Sequence, residues 1–312
     1  MEQRRLGRSG LMVSVIGFGC GAVGGLMVKG TASDQQRAIA RALEAGITYF
    51  DTAADYGNGA SEQNLGAALR ALKADPIVGT KVRLAQAEYA TIGATIAASM
   101  DASLKRLGRE RVHLFQLHNP ISATADAACM TPDMVEAEVL PAFARLREQG
   151  KADHFGFTAI GEPDALRRVL ANAAMTSAQL PYNLLNGAPG GEQAGLAAFA
   201  ASHEVGVIGI RSFAGGALSG TEARGLLGMQ SVQPIGSGNS YAEDVAAAQR
   251  FRVLVDRGFA SDLIEAALRF AITTPHMATA MVGLGSLAEL AHAIAAANKG
   301  PLPAEALALV GY

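Results

Sequence analysis

The sequence predicts an α/β fold, a (β/α)8 TIM barrel, from three observations. Eight short β-rich runs alternate with stretches of helical periodicity, the pattern of a closed parallel sheet wrapped by helices. No shift in composition divides the chain, so residues 1–312 are expected to form one domain, a length such barrels reach. Three successive strands end on titratable side chains, which suits a barrel whose strands open onto a reactive rim.

Taken in order, the leading RRLGRSGLMVSV forms an N-terminal β-hairpin turning on Ser9 and Gly10, placed to plug the bottom of the barrel. Barrel strand one is VIGFG (15–19). The helix in SDQQRAIARALEAG begins with a capping box of Ser33 and Gln36 and stops at a left-handed Gly46. Strand two is ITYFD, followed by a helix over 61–72. Strand three is PIVGTK, and the helix over 93–107 closes at Gly108. Strand four is VHLFQLH; in the helical region 132–149 that follows, Pro141 starts a second part. Strands five to eight are HFGFTA (154–159), SAQLPY (177–182), VGVIGIR (205–211) and ATAMVGL (278–284).

One segment breaks the rhythm. Residues 212–241 hold seven glycines and little periodicity, too long for an ordinary βα connection. Placed after strand seven, this long glycine-rich loop is expected to be a lid on the catalytic face.

Composition narrows the partners. Charged residues make up 17% of the chain and the net charge is −2, which gives no field for gathering nucleic acid or an anionic membrane. A small molecule is the expected partner; monomer and homo-oligomer both stay open. Cys20 and Cys129 are too few for a disulfide framework and fit reduced thiols in a cytoplasmic protein. They show no zinc-type spacing, so no metal site is expected. MEQRRLGRSG lacks the apolar segment of a secretory signal, and no stretch reads as a membrane span.

Strand two ends in Asp51, strand three in Lys81 and strand four in His118, while Tyr56 follows in a glycine-rich loop. Period-two alternation puts Tyr49 with Asp51, Gly79 with Lys81 and Gln116 with His118 on shared faces, and turns Phe50, Val78 and Phe115 toward the helices. Lys81 beside Asp51 stays ionised. A phenol near that ammonium has its phenolate favoured, so Tyr56 is expected to be a stronger acid than free tyrosine. His118 orients or polarises the same oxygen. A proton donor without a nucleophile or metal suits reduction of a carbonyl by hydride from a bound nicotinamide. An aldolase that forms a Schiff base on Lys81 remains an alternative. So does a non-catalytic, cofactor-binding redox-sensing subunit.

GITYFDTAADYGNGASEQNLG, GTK and LFQLH, supported by KADHFGFTA, SAQLPYNLLN and AGGALSG, occur in the order seen in the aldo-keto reductases, and the chain resembles that family over nearly its whole length. The resemblance implies an NAD(P)H-dependent oxidoreductase acting on an aldehyde or ketone, or on the corresponding alcohol. It makes Asp51, Tyr56, Lys81 and His118 the catalytic tetrad. Tyr56 would be the acid or base, Lys81 and Asp51 would tune it, and His118 would orient the substrate.

The cofactor, NADP or NAD, would meet Gly19, Thr158, Gln179, Arg211, Ser212, Gly215, Gly283, Gly285, Ser286 and Glu289. Thr158 and Ala159 stand where the family usually has Ser-Asn, whereas Gln179 matches its carboxamide glutamine. Arg211 replaces a common tyrosine and can stack on the nicotinamide ring. Gly283, Gly285 and Ser286 open a helix whose free N–H groups suit phosphate. Glu289 occupies a place where glutamine or arginine is common, leaving the extra phosphate of NADPH without a basic partner, so NADH is expected to serve too. With no tryptophan in the chain, substrate contacts fall to Cys20, Val23, Leu26, Met27, Asn119, Phe213 and Leu218, a partly apolar set.

Overall fold

The computed structural model describes residues 1–236 and 238–312. Two short strands, β1 (Gln3–Arg5) and β2 (Met12–Ser14), pair antiparallel with Arg5 opposite Met12. A tight Gly7–Ser9 turn and left-handed Gly10 reverse the chain between them, as the hairpin pattern predicts. Eight further strands follow: β3 (Ile16–Gly19), β4 (Tyr49–Asp51), β5 (Ile77–Val82), β6 (Val112–Leu117), β7 (Ala152–Thr158), β8 (Ser177–Pro181), β9 (Gly206–Ile210) and β10 (Met277–Gly283). They run parallel and close into a barrel, with β10 pairing back onto β3.

Alternation along these strands separates two cores. Phe18, Phe50, Val78, Phe115, Phe155 and Phe157 face outward and bury against the helices. Tyr49, Leu114, Ile208 and Met281 face inward, where Leu6 and Val13 of the hairpin cover them from below. The hairpin is thus the barrel's floor. Among the described residues, no helix is long and apolar enough to cross a membrane, and no group of three or more His, Cys, Asp or Glu could hold a metal ion.

Local chemistry moves some expected boundaries. The helix Ala32–Glu44 is capped by Thr31, whose hydroxyl accepts from the Asp34 N–H at 3.1 Å, so Ser33 lies inside the helix. The threonine wins because its backbone is extended, which aims its oxygen at the open N–H groups. Left-handed Gly46 and Gly108 end their helices as expected. A π-helical turn, Val135–Val139, joins Pro132–Met134 to the helix Leu140–Glu148. Pro141 has no N–H for the regular ladder, and the preceding turn widens.

The loop after β9 has more structure than its glycines suggested. Ala214–Ser219 winds into short 3-10 turns, and Tyr241 already begins the helix Tyr241–Ala248, so the irregular part ends at Ser240. Ser237, part of the expected lid, lies outside the described residues. Arg224 ties the segment together by donating to Gly215 O at 2.6 Å and Tyr241 Oη at 3.0 Å. The Met229 N–H reaches Val23 O at 3.3 Å, and Leu227 O packs so closely on Gly25 that a Cβ there would lie 1.9 Å away. The segment therefore leans across the rim from β9 to the loop after β3.

Candidate active site

Strands β4, β5 and β6 bring Asp51, Lys81 and His118 to the barrel's C-terminal rim, and the turn after β4 adds Tyr56. Lys81 Nζ donates to Asp51 Oδ2 at 2.5 Å, Thr52 O at 2.8 Å and Tyr56 Oη at 3.2 Å. The ammonium also sits 4.7 Å from the Tyr56 ring centroid. His118 meets that ring edge-on, with centroids 5.8 Å apart. Because the lysine donates to the phenol oxygen, the Tyr56 O–H is left to point at another acceptor. All four expected catalytic residues thus come together.

Asp51 is surrounded by donors. Its Oδ1 accepts from Tyr49 Oη at 2.7 Å, Gln179 Nε2 at 2.7 Å and Gln116 Nε2 at 3.3 Å. Four donors on one buried carboxylate fix its orientation. Tyr49 fits beneath Asp51 only because its neighbours lack side chains: a Cβ on Gly79 would lie 2.6 Å from Tyr49 Oη, and one on Gly17 3.1 Å from the ring. The sequence pattern shows Tyr49 and Gln116 on the right faces, yet it cannot show that they converge on one oxygen.

The charge balance around Tyr56 differs from the expectation. Burial outweighs the nearby Lys81 ammonium, and Asp51 and Asp55 add to burial, so the phenol is pushed above its ordinary range. It holds its proton at neutral pH; it is not a stronger acid than free tyrosine. Lys81 also rises: burial works against its charge, but Asp51 and Tyr56 more than offset that.

His118 Nδ1 is buried and makes no regular hydrogen bond, but it lies 3.3 Å from Asp55 Oδ2. The same oxygen accepts from Arg83 Nε at 3.1 Å. Partial burial opposes the Asp55 charge, yet His118 and Arg83 hold its carboxyl well below the usual range. For His118, burial dominates and lowers its basicity, with Lys81 and Arg83 acting in the same sense and Asp55 against them. Sequence reading missed Asp55 and Arg83. The available signal was position: one precedes Tyr56, and the other follows Lys81 by two, just past the end of β5.

Expected cofactor residues form an arc on the opposite side. Thr158 and Gln179 pair in register on β7 and β8, and the Thr158 hydroxyl is buried without a partner. An orphaned hydroxyl beside an amide side chain fits a carboxamide with one donor and one acceptor. Gln179 itself turns its Nε2 to Asp51 and not to the arc. Arg211 is exposed and left-handed (φ 57), followed by left-handed Ala214, Gly215 and Gly216. Ser212 donates its hydroxyl to Met281 O at 3.3 Å, and Gly19 and Gly283 pair at the ends of β3 and β10.

Two N–H groups at the start of helix Leu287–Asn298, those of Gly285 and Glu289, have side-chain partners, which narrows the phosphate expectation. Ser286 Oγ accepts from Glu289 N at 3.1 Å as the N-cap, while Glu289 Oε2 reaches one residue before the cap and accepts from Gly285 N at 2.8 Å. An anion there must first displace the Glu289 carboxylate.

Most expected substrate contacts turn out to be packing. Cys20, Leu26, Met27 and Leu218 are buried in the outer core. Asn119 spends its amide on the backbone: Oδ1 accepts from Leu84 N, and Nδ2 donates to Leu84 O and Ala128 O. Their polar or apolar type was readable, but which way each loop side chain turns was not. Val23 is exposed and Phe213 half-buried, so these two keep surface at the mouth.

The aldo/keto reductase family matches residues 15–310. Among solved structures, aldo-keto reductase AKR11C1 from Bacillus halodurans, in its holo form, superposes with a TM-score of 0.73 at 26% identity, covering 99% of this chain and 95% of that one. The uncharacterized oxidoreductase YqkF of Bacillus subtilis is 26% identical over 314 residues, 98% of this chain and 94% of its own length. L-galactose dehydrogenase of Arabidopsis thaliana is 31% identical over 163 residues, 51% of this chain and 49% of that enzyme, so the matched segment spans about half of that relative.

Proposed function

The chain belongs to the aldo/keto reductase family, and from that premise we propose that it reduces an aldehyde or ketone, or oxidises the alcohol, with Tyr56 as the proton donor and NAD(P)H as hydride source. One observation carries the reading. Tyr56 Oη lies 3.2 Å from Lys81 Nζ, which lies 2.5 Å from Asp51 Oδ2, all at the rim beside His118. A buried, charge-compensated ammonium bonded to a phenol is an arrangement for moving one proton at one place.

When bound, the reduced nicotinamide supplies the hydride. Thr158, Arg211, Ser212, Gly215 and the segment Gly283–Ser286 would hold the cofactor, with Gln179 released from Asp51 to help. Tyr56 gives its proton to the oxygen of the carbonyl as the hydride reaches carbon. Lys81 stabilises the phenolate left behind, and Asp51 keeps the lysine charged and in place. His118 holds the substrate oxygen between itself and Tyr56.

The setting of Lys81 disfavours the aldolase alternative, since a Schiff-base lysine must be neutral to attack. This one is held as an ammonium by three acceptors. Glu289 places a carboxylate where a 2′-phosphate would need a cation, which supports use of NADH alongside NADPH. The test is a panel of aldehydes, ketones and sugars with both reduced cofactors, following loss of nicotinamide absorbance. Turnover with at least one carbonyl class is expected. Tight cofactor binding with no turnover across the panel would instead support a redox-sensing role and sink the reductase reading.

A further inference from the structure

We propose that Asp55 is a positioning residue that fixes the tautomer of His118, so that His118 can donate to a carbonyl oxygen only in its protonated form. This deepens the reductase reading and rests on it. The geometry begins with a single carboxylate oxygen, Asp55 Oδ2, 3.3 Å from His118 Nδ1. The nitrogen is buried and makes no hydrogen bond among the described residues, so the carboxylate oxygen beside it is the charge that a proton on Nδ1 would face. Arg83, at 3.1 Å from the same oxygen, anchors that acceptor from the end of β5.

A neutral imidazole carries one N–H. The Asp55 anion 3.3 Å from Nδ1 favours a proton there over a lone pair, so the N–H is at Nδ1 and Nε2 is left with a lone pair. A lone pair repels a carbonyl oxygen but accepts from an alcohol O–H. Protonation adds a second N–H at Nε2, which then donates to the carbonyl. The proton that His118 gains comes from solvent and stays on it; the proton transferred to the substrate still leaves Tyr56. His118 therefore sorts the two substrates of one reaction by pH.

The groups facing His118 set where this happens. Lys81 and Arg83 from β5 and its end are cationic and oppose the imidazolium, Asp55 favours it, and Tyr56 presents a neutral ring edge. Removing Asp55 should lower the His118 midpoint, whereas removing the Arg83 charge should raise it. An alanine at position 55 has a further effect: with no carboxylate beside Nδ1, the neutral imidazole reverts to its ordinary preference for the Nε2–H tautomer.

Two measurements test this. The first is nitrogen NMR of histidine-labelled protein, with His118 identified by its loss in His118→Gln. It needs no substrate. Wild type should show neutral His118 protonated at Nδ1, and Asp55→Ala should show it protonated at Nε2. Arg83→Gln should keep the Nδ1 tautomer with a raised midpoint, which also controls for loss of fold. The second is the pH dependence of kcat/KM for a carbonyl. Above the NMR midpoint it should fall about tenfold per pH unit in wild type and stay flat in Asp55→Ala. An Nε2–H tautomer in wild type, or the same slope in both proteins, overturns the proposal. A tautomer that switches as stated in a protein that turns over no carbonyl leaves Asp55 in its role and overturns the reductase reading instead.

Discussion

Where β4, β5 and β6 reach the rim, the reactive side chains stand on the strands or one turn beyond, and Asp51, Lys81 and Tyr56 are bonded in a chain. Where β9 and β10 reach it, the corresponding groups ride on loops. Asp51 accepts from four side chains. Thr158 Oγ1 on β7 has no partner among the described residues, and after β9 the chain from Arg211 to Gly216 holds two non-glycine residues in left-handed conformations. Such conformations cost on the order of 1–3 kcal/mol each and persist at sites where a ligand uses them. The strand side is built to keep one proton-transfer geometry. The loop side is built to receive something, and its strain and open donors are what a ligand would relieve.

The sharpest way to break the strand side is Lys81→Met. It leaves Asp51 as a buried carboxylate without its cation, and we expect a loss of about 3–5 kcal/mol in a denaturant titration. Adding Asp51→Asn to the same variant should recover part of that loss, since no charge is then stranded. A single variant as stable as the parent would show that the three neutral donors alone carry Asp51.

Tyr56→Phe should preserve stability and cofactor affinity while lowering turnover by about a hundredfold or more. The pH profile has a definite sign. Because burial raises the Tyr56 phenol above its ordinary range, the donor form is complete at neutral pH, and the limb due to Tyr56 appears only as pH rises past about 10. A Tyr56 limb near neutrality would mean that the bound cofactor reverses the effect of burial.

On the loop side, Glu289→Arg should shift the ratio of dissociation constants toward NADPH by about tenfold, with the parent binding NADPH and NADH within about tenfold of each other. If the parent already prefers NADPH more than about a hundredfold, a cation elsewhere meets the phosphate. The smallest effect is expected from Arg224→Ala. It cuts the ties to Gly215 O and Tyr241 Oη, so amide exchange at Gly216 and Met229 should quicken while the amides of β4 to β6 are unchanged. Uniform exchange in both proteins would mean that the segment holds its shape without this arginine.

The same contrast explains what could be read in advance. Asp51, Lys81 and His118 were legible because a period of two fixes which residues share a face, and the barrel fixes which rim they reach. Tyr49, a large polar residue between two outward-facing positions, was placed correctly for the same reason. Asn119, Leu26 and Met27 were misplaced because loop residues have no such period: one used its amide to brace the backbone, and the others joined the outer core. The acidity of Tyr56 was misread because charges are visible in a sequence and burial is not. Ser33 lost the helix cap to Thr31 through a difference in backbone angle of two residues' reach.

The hairpin floor has a consequence for water. Leu6 and Val13 are wholly buried under Tyr49, Leu114, Ile208 and Met281, so the lower end of the barrel is stopped with hydrocarbon. Solvent protons then have one approach to Tyr56, from the open rim where His118, Asp55 and Arg83 stand. The site has an entrance and no drain. On the proposed mechanism, a proton that restores Tyr56 after a turnover would pass the same three residues as the substrate, so product departure and reprotonation would compete for one doorway.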